Sequence, residues 1–324
     1  MSALLEARDL SVAFDTPRGR VHALDRVSLT VRRGETVGLV GESGSGKSTL
    51  ALALMRAVAP TGGAILFDGQ EIGHLSRRAL RPLRRRFQMV FQDPYASLDP
   101  RMSVRRIVTE PLIAQDYGPR ARIEARLQEL LAAVGLPPEA ADRRPAQFSG
   151  GQRQRIAIAR AIAPEPDMVI ADEPVSALDV SIQAQIVNLF QDIQARTGIA
   201  YVMIAHDLPL VHQIADRIVV LYLGRVVEEG PAEALVSRPL HPYTAGLLAA
   251  TPTVDSAGRK RLILKGDPPS PIHRPSGCPF HPRCPAATDR CAIETPALAD
   301  HGDRRVACHF PGAVEPPLSI ARPD

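Results

Sequence analysis

Three short apolar runs, Thr36 to Val40, Met168 to Ala171 and Tyr201 to Ala205, each end in polar or glycine-rich residues. Runs so short and so uniformly apolar predict strands buried on both faces. Each leads straight into a loop, as strands of an open α/β sheet do at their ligand-binding ends. Ala64 to Ile72 predicts a hairpin turning at Asp68-Gly69. From Ser103 to Ile162 the pattern is mainly helical, broken at Pro119, at Gly135-Leu-Pro-Pro and at Pro145. This predicts a helical insertion within an α/β domain. Beyond about Gly230 the texture changes. Residues 251–324 hold 13 of the 30 prolines and all four cysteines, too irregular a segment to build a core of its own. No internal repeat is present.

Composition narrows the picture. A chain of 324 residues, 45% apolar, accommodates one large domain and an appendage. Tryptophan is absent and aromatics are only 4%, so aliphatic side chains must form the core. The net charge of +4 is carried almost wholly by arginine, the only lysines being Lys47, Lys260 and Lys265. No basic stretch is interleaved with stacking aromatics, which argues against nucleic acid as a partner. The arginines from Arg77 to Arg86 are expected on a solvated helix face. No run of about 18 apolar residues exists to span a bilayer. Glu6 stands where a signal peptide requires apolar residues, so no secretion signal is expected. The chain is expected in the cytoplasm, reaching a membrane only by docking on one.

The candidate chemistry begins at Gly41-Glu-Ser43-Gly44-Ser45-Gly46-Lys47-Ser48-Thr49, which follows one buried strand and opens a helix expected to run to about Val58. This is a P-loop in its required context. Glycines let backbone N–H groups turn inward around phosphate oxygens, and the helix start adds a positive dipole end. Lys47 is expected to reach the β- and γ-phosphates, Ser48 to coordinate Mg²⁺, and Thr49 to contact the α-phosphate side. Met168-Val-Ile-Ala-Asp172-Glu173-Pro174 supplies the second half. Asp172, at the end of a buried strand, suits the Mg²⁺ shell, and Glu173 suits the general base that polarises the attacking water.

Phe148-Ser149-Gly150-Gly151-Gln152-Arg-Gln-Arg155 precedes that pair and resembles the signature sequence of ABC ATPases. It also reads as a helix cap, and both readings can hold. The resemblance implies that Ser149, Gly150, Gly151 and Gln152 grip the γ-phosphate of a nucleotide seated in a partner subunit. Gln92 in Phe91-Gln-Asp-Pro94 resembles the Q-loop glutamine that senses Mg²⁺ and water. Asp179 in Ser176-Ala-Leu-Asp179 resembles the D-loop, and His206 the switch histidine that contacts the γ-phosphate. Phe14 falls where the family often stacks adenine on tyrosine; a phenylalanine keeps the π-face and loses the hydroxyl, and a core role is the alternative.

Within that family the chain is most similar to the second ATPase of oligopeptide/dipeptide importers. The match rests on Gln92-Asp-Pro-Tyr-Ala-Ser-Leu-Asp-Pro100, Phe148 to Arg155, Asp172 to Gln183, and His241-Pro-Tyr-Thr244. The resemblance implies an α/β P-loop NTPase fold of ABC type with a helical insertion and a small Cys-rich extension. The ATPase domain is expected over 1–235, its helical subdomain over about 93–163, and the extension over 236–324. ATP and Mg²⁺ are the implied ligands. The implied partners are a sister ATPase in a heterodimer, two transmembrane permeases and an extracytoplasmic peptide-binding protein. The implied location is the cytoplasmic face of the plasma membrane, with peripheral contact. Nickel and glutathione importers share these features. A soluble ABC ATPase acting on ribosomes or DNA would normally carry two cassettes or a long coiled coil, and neither is present. An exporter would lack the peptide-importer tail.

Cys278, Cys284, Cys291 and Cys308 are separated by five, six and sixteen residues. Two disulfides are not expected in a cytosolic chain. Clustered thiolates hold zinc or an iron–sulfur cluster. The spacing lacks the C-x₂-C knuckles usual for zinc. The resemblance favours a structural [4Fe–4S] cluster, with zinc as the alternative.

Overall fold

The structure is a computed structural model and describes residues 3–250, 264 and 266–314. Lys260 and Lys265 lie outside the described residues. The chain opens with two long strands, β1 (Ala3–Thr16) and β2 (Gly19–Arg32), then enters the fully buried β3 (Thr36–Val40). The phosphate-loop segment leads into α1 (Lys47–Leu54), followed by the hairpin β4 (Gly62–Phe67) and β5 (Gln70–Glu71). Helix α1 stops short of the Val58 expected from sequence. Arg56 turns left-handed (φ 52°), and the N–H groups of Ala57 and Val58 both fold back onto the carbonyl of Leu52.

Next come α2 (Arg77–Leu80), β6 (Phe87–Val90) and α3 (Pro94–Ser97), then three longer helices: α4 (Val104–Ala114), α5 (Arg120–Ala133) and α6 (Gly150–Ile162). The sequence breaks fall between them. Pro119 precedes α5, Gly135 turns left-handed (φ 69°), and Pro145 opens a 3-10 turn. The arginine-rich segment is not one solvated helix face. Helix α2 covers only four residues, and Arg86 beyond it pairs with Asp167 at 2.5 Å.

The chain continues through β7 (Met168–Asp172), α7 (Val180–Thr197), β8 (Ala200–Ala205), α8 (Leu208–Ile214), β9 (Arg217–Tyr222) and β10 (Arg225–Pro231). It closes with α9 (Ala232–Ser237), α10 (Pro242–Ala250), α11 (Asp289–Ile293), β11 (Ala299–His301) and β12 (Arg304–Val306).

These elements form two compact units. The first takes Val31–Glu35 and His74–Met203. It pairs β6 with β7 in parallel, Phe87 to Val90 against Met168 to Ala171, and contains helices α2 to α7. The second takes Leu4–Thr30, Thr36–Gly73 and the chain from Ile204. One of its sheets has the order β2-β1-β4-β5. In the other, β3 runs parallel to β9, and β10, β12 and β11 are added antiparallel.

The proline-rich tail therefore does find a core, by contributing to that of the second unit. Its β12 pairs Val306 with Glu228 of β10, and Cys278, Phe280 and Cys291 join a buried cluster with Val220, Tyr222 and Tyr243. Gly38 permits the tight packing of α8 on β3, since a Cβ there would stand 2.1 Å from Val211 Cγ1.

Candidate active site

Strand β3 ends at Val40, and the backbone then turns in a way that side chains forbid. Gly41 has φ 154°, and a Cβ on it would lie 2.3 Å from the Leu221 carbonyl oxygen. Gly46, at φ 105°, caps α1 with Ala23 O 2.7 Å from where its Cβ would stand. Such positions admit glycine alone. Between them the loop wraps around Lys47, only 6% exposed, whose Nζ donates to the carbonyls of Gly41 (2.7 Å) and Glu42 (2.9 Å). The ammonium thus closes a ring of its own backbone, with the N-terminus of α1 behind it. Ser45 Oγ is buried in the same loop with no hydrogen-bond partner. A buried cation, a helix N-terminus and an orphaned hydroxyl make a fitting cradle for phosphate oxygens. Ser43, Gly44 and Ser48 face solvent along this loop, and Thr49 is half-buried.

In the first unit, β7 delivers Asp172, a carboxylate only 8% exposed, and then Glu173. The backbone of Glu173 is left-handed (φ 44°), a costly conformation for a residue with a side chain and one that clusters at functional sites. Its Oε2 accepts a hydrogen bond from Gln92 Nε2 at 3.1 Å, so the structure joins two residues 81 positions apart. Ser149 caps α6 reciprocally: its Oγ accepts from the Gln152 N–H (3.3 Å), while Gln152 Oε1 accepts from the Ser149 N–H (3.0 Å). Gly150 and Gly151 open that helix because α7 and the turn before it come close. A Cβ on Gly151 would meet Ile182 Cγ2 at 2.6 Å, and one on Gly150 would meet Leu178 Cδ2 at 3.3 Å. Asp179 stands exposed at the start of α7.

The remaining candidates belong to the second unit. His206 is exposed and follows the last residue of β8. Phe14, near the end of β1, is 40% exposed, so it is not a core residue. For Mg²⁺, the Ser48 hydroxyl, the Gln92 amide and the Asp172 carboxylate are hard oxygen donors of the kind that ion takes.

All four cysteines line one small pocket, together with His241, Phe280, His281 and His309. Burial pushes the thiols of Cys278, Cys284 and Cys308 upward, that of Cys308 to about 11, and neighbouring cysteines add to the push. As placed, no three His, Cys or carboxylate side chains among the described residues form a ready-made metal site. Three residues bordering the phosphate loop escape sequence reasoning: Glu42, Tyr243 and Arg283. Their only sequence signal is that each lies inside a motif whose neighbours attract attention.

The glycine-turned cradle of the second unit is of the kind that holds phosphate, and the Asp172-Glu173 strand end of the first is of the kind that serves a nucleotide-hydrolysing cassette. The family described as ABC transporter matches residues 24–176, and the oligopeptide/dipeptide transporter C-terminal region matches residues 227–291. An ATP-binding cassette solved as a dimer in a post-hydrolysis state with ADP and phosphate is similar with a TM-score of 0.65 and 31% identity, covering 70% of this chain and 98% of that one. A Clostridium perfringens subunit of the cbiONQ ABC transporter complex gives 0.66 and 30%, covering 72% and 91%. A probable peptide ABC transporter ATP-binding protein of Sinorhizobium fredii is 53% identical over 91% of this chain and 84% of its own. A di/tripeptide transport ATP-binding protein of Pseudomonas aeruginosa is 48% identical over 95% and 98%. The chain belongs to the ATP-binding proteins of ABC transporters, in the branch that carries the oligopeptide/dipeptide C-terminal region. It is accordingly an ATPase whose hydrolysis is coupled to transport.

Proposed function

We propose that the chain powers import of di- and oligopeptides as one half of a nucleotide-sandwiching pair. It aligns over 84% and 98% of two peptide-transport ATP-binding proteins, and the oligopeptide/dipeptide transporter C-terminal region matches residues 227–291. That match is the observation that carries the reading. The ATPase domain covers 1–235, with a helical subdomain over about 93–163, and the extension covers 236–324. No helix among the described residues is long and apolar enough to cross a membrane. The chain works with permease subunits: two of them, a sister ATPase and an extracytoplasmic peptide-binding protein, at the cytoplasmic face of the membrane.

In this assembly the loop Gly41–Thr49 holds the triphosphate. Lys47 turns from its own carbonyls toward the β- and γ-phosphates, and Phe14 offers its exposed ring to the adenine. Ser48, Gln92 and Asp172 would hold Mg²⁺, which would supply positive charge against that developing on the phosphates. Glu173 orients and deprotonates the attacking water, held in place by Gln92 and by its own strained backbone. His206 reports on the γ-phosphate. Ser149 to Gln152 close over the nucleotide of the partner subunit, with Asp179 at the shared interface, so neither half turns over alone.

The gathering of the four cysteines on one pocket is what supports a structural [4Fe–4S] cluster, which Cys278, Cys284, Cys291 and Cys308 would hold as thiolates. Protein purified without oxygen is expected to be brown, absorbing near about 400 nm. Colourless protein with stoichiometric zinc overturns the cluster. The transport reading is tested in proteoliposomes holding the full assembly. ATP-driven uptake of labelled dipeptides is expected, and uptake of nickel or glutathione instead would refute the peptide assignment.

A further inference from the structure

The Cys-rich extension reaches the phosphate loop itself, at Glu42. The backbone N–H of Glu42 donates to Tyr243 Oη at 2.7 Å. The Glu42 carboxylate accepts two parallel bonds from Arg283, Nη1 to Oε2 at 2.6 Å and Nη2 to Oε1 at 3.0 Å. The Glu42 carbonyl, as described, receives Lys47 and also the N–H of Ser45 at 3.2 Å. One loop residue is therefore gripped by the extension through its N–H and side chain, and by Lys47 through its carbonyl.

The grip is stiff at its far end. Tyr243 is fully buried in the first turn of α10 and packs against Tyr222 and Phe280, with ring centroids 4.7 and 5.4 Å away. Arg283, its side chain 6% exposed, ends a 3-10 turn in which its N–H bonds the Phe280 carbonyl at 3.0 Å. Cys278 and Cys284 flank that turn, and both line the four-cysteine pocket. A bidentate guanidinium–carboxylate pair at this depth fixes direction as well as charge.

Electrostatics gives the contact a functional sign. Glu42 puts a negative carboxylate beside a loop built to attract phosphate, and Arg283 cancels it. We propose that Arg283 and Tyr243 are positioning residues for nucleotide binding, through which the extension holds Glu42 and the Lys47 ring in shape and shields the phosphates from the Glu42 charge. This rests on the loop around Lys47 being the ATP site.

The test is a double-mutant cycle on the full-length chain, reading the Kd for ADP and ATP by titration calorimetry, with thermal unfolding alongside. Arg283→Met is expected to weaken both nucleotides roughly tenfold, the effect of one like charge left uncompensated at a phosphate site. The weakening should shrink as salt is raised. Glu42→Gln in the same protein should restore affinity to within about threefold, because the repelling charge is gone. Arg283→Lys should fall between, keeping charge but losing the paired geometry. In the assembled transporter the loss should appear in KM for ATP, with kcat at saturating ATP retained.

Unchanged affinity in Arg283→Met overturns the proposal. So does a loss that Glu42→Gln fails to rescue, since that pattern belongs to a merely destabilised extension. Lys47→Ala is the separate control: wild-type and Lys47→Ala proteins that bind nucleotide equally would refute the ATP site itself, whatever Arg283 does.

Discussion

Glu228 offers the sharpest energetic test of how the extension is anchored. Its carboxylate lies on β10 with no solvent exposure, Oε1 accepting the N–H of Leu240 (2.8 Å) and Oε2 that of His241 (2.9 Å). Those N–H groups start the turn that leads into α10 and delivers Tyr243 to Glu42. Arg304 stands 3.9 Å away. Glu228→Ala strands two buried donors at about 1–3 kcal/mol each, so a loss of about 2–6 kcal/mol is expected, a large part of the 5–15 kcal/mol typical of a folded chain. Glu228→Gln keeps the volume and one acceptor but turns an amide NH₂ toward the second donor, and should lose about half as much. The pH dependence discriminates further. Burial raises the Glu228 pKa above its ordinary value, outweighing the hydrogen bonds and Arg304, which pull it down. A raised acid binds its proton more readily folded than unfolded. Its contribution is therefore complete below the unfolded carboxyl pKa, about 4.3, and is lost as pH rises through the folded value. The stability gap between wild type and Glu228→Gln, measured by urea unfolding followed by circular dichroism, should narrow with rising pH in that window. A gap that widens instead would mean that the carboxylate is stabilised as an anion by Arg304, and the burial reasoning would fail.

Other expectations concern the site directly. Glu173→Gln should leave ATP bound and cut turnover by at least about a hundredfold, the usual yield of a general base, whereas Lys47→Ala should weaken binding itself; trapped radiolabelled nucleotide distinguishes the two. Gly41→Ala should lower ATP affinity about tenfold or more, because its Cβ collides with the Leu221 carbonyl at 2.3 Å in a left-handed backbone; unaltered affinity would refute the strain assignment.

The buried parallel strands are legible because both faces of β3, β7 and β8 meet protein, which forces an uninterrupted apolar run. Strand β1 gives no such signal. Its alternation is interrupted where Asp9 turns left-handed (φ 47°) and the register with β4 slips between Arg8 and Ser11, so no single period describes it. Strands β11 and β12 are three residues each, and β11 is wholly exposed. They are strands because β10 offers β12 an edge, which is tertiary information. The short span of α1 has the same character: its end is set by the Arg56 turn rather than by helix propensity in the residues up to Val58.

The phosphate loop divides in the same way. Its glycines, lysine and serine are legible because backbone geometry and charge at the phosphate dictate them. The position after Gly41 is unconstrained by the phosphate, so a motif reading carries no information about Glu42. Its partners lie 201 and 241 residues away, beyond the reach of any periodicity. That freedom is what makes the position suitable as an attachment point. A side chain there can take up a contact from outside the loop without displacing a glycine or redirecting Lys47. A contact at Ser48 or Lys47 would instead compete with the nucleotide. An appendage that acts on such a loop without blocking it is thus confined to the few side chains the phosphate leaves unused, and Glu42, half-buried with its carbonyl on Lys47, is the one the extension holds.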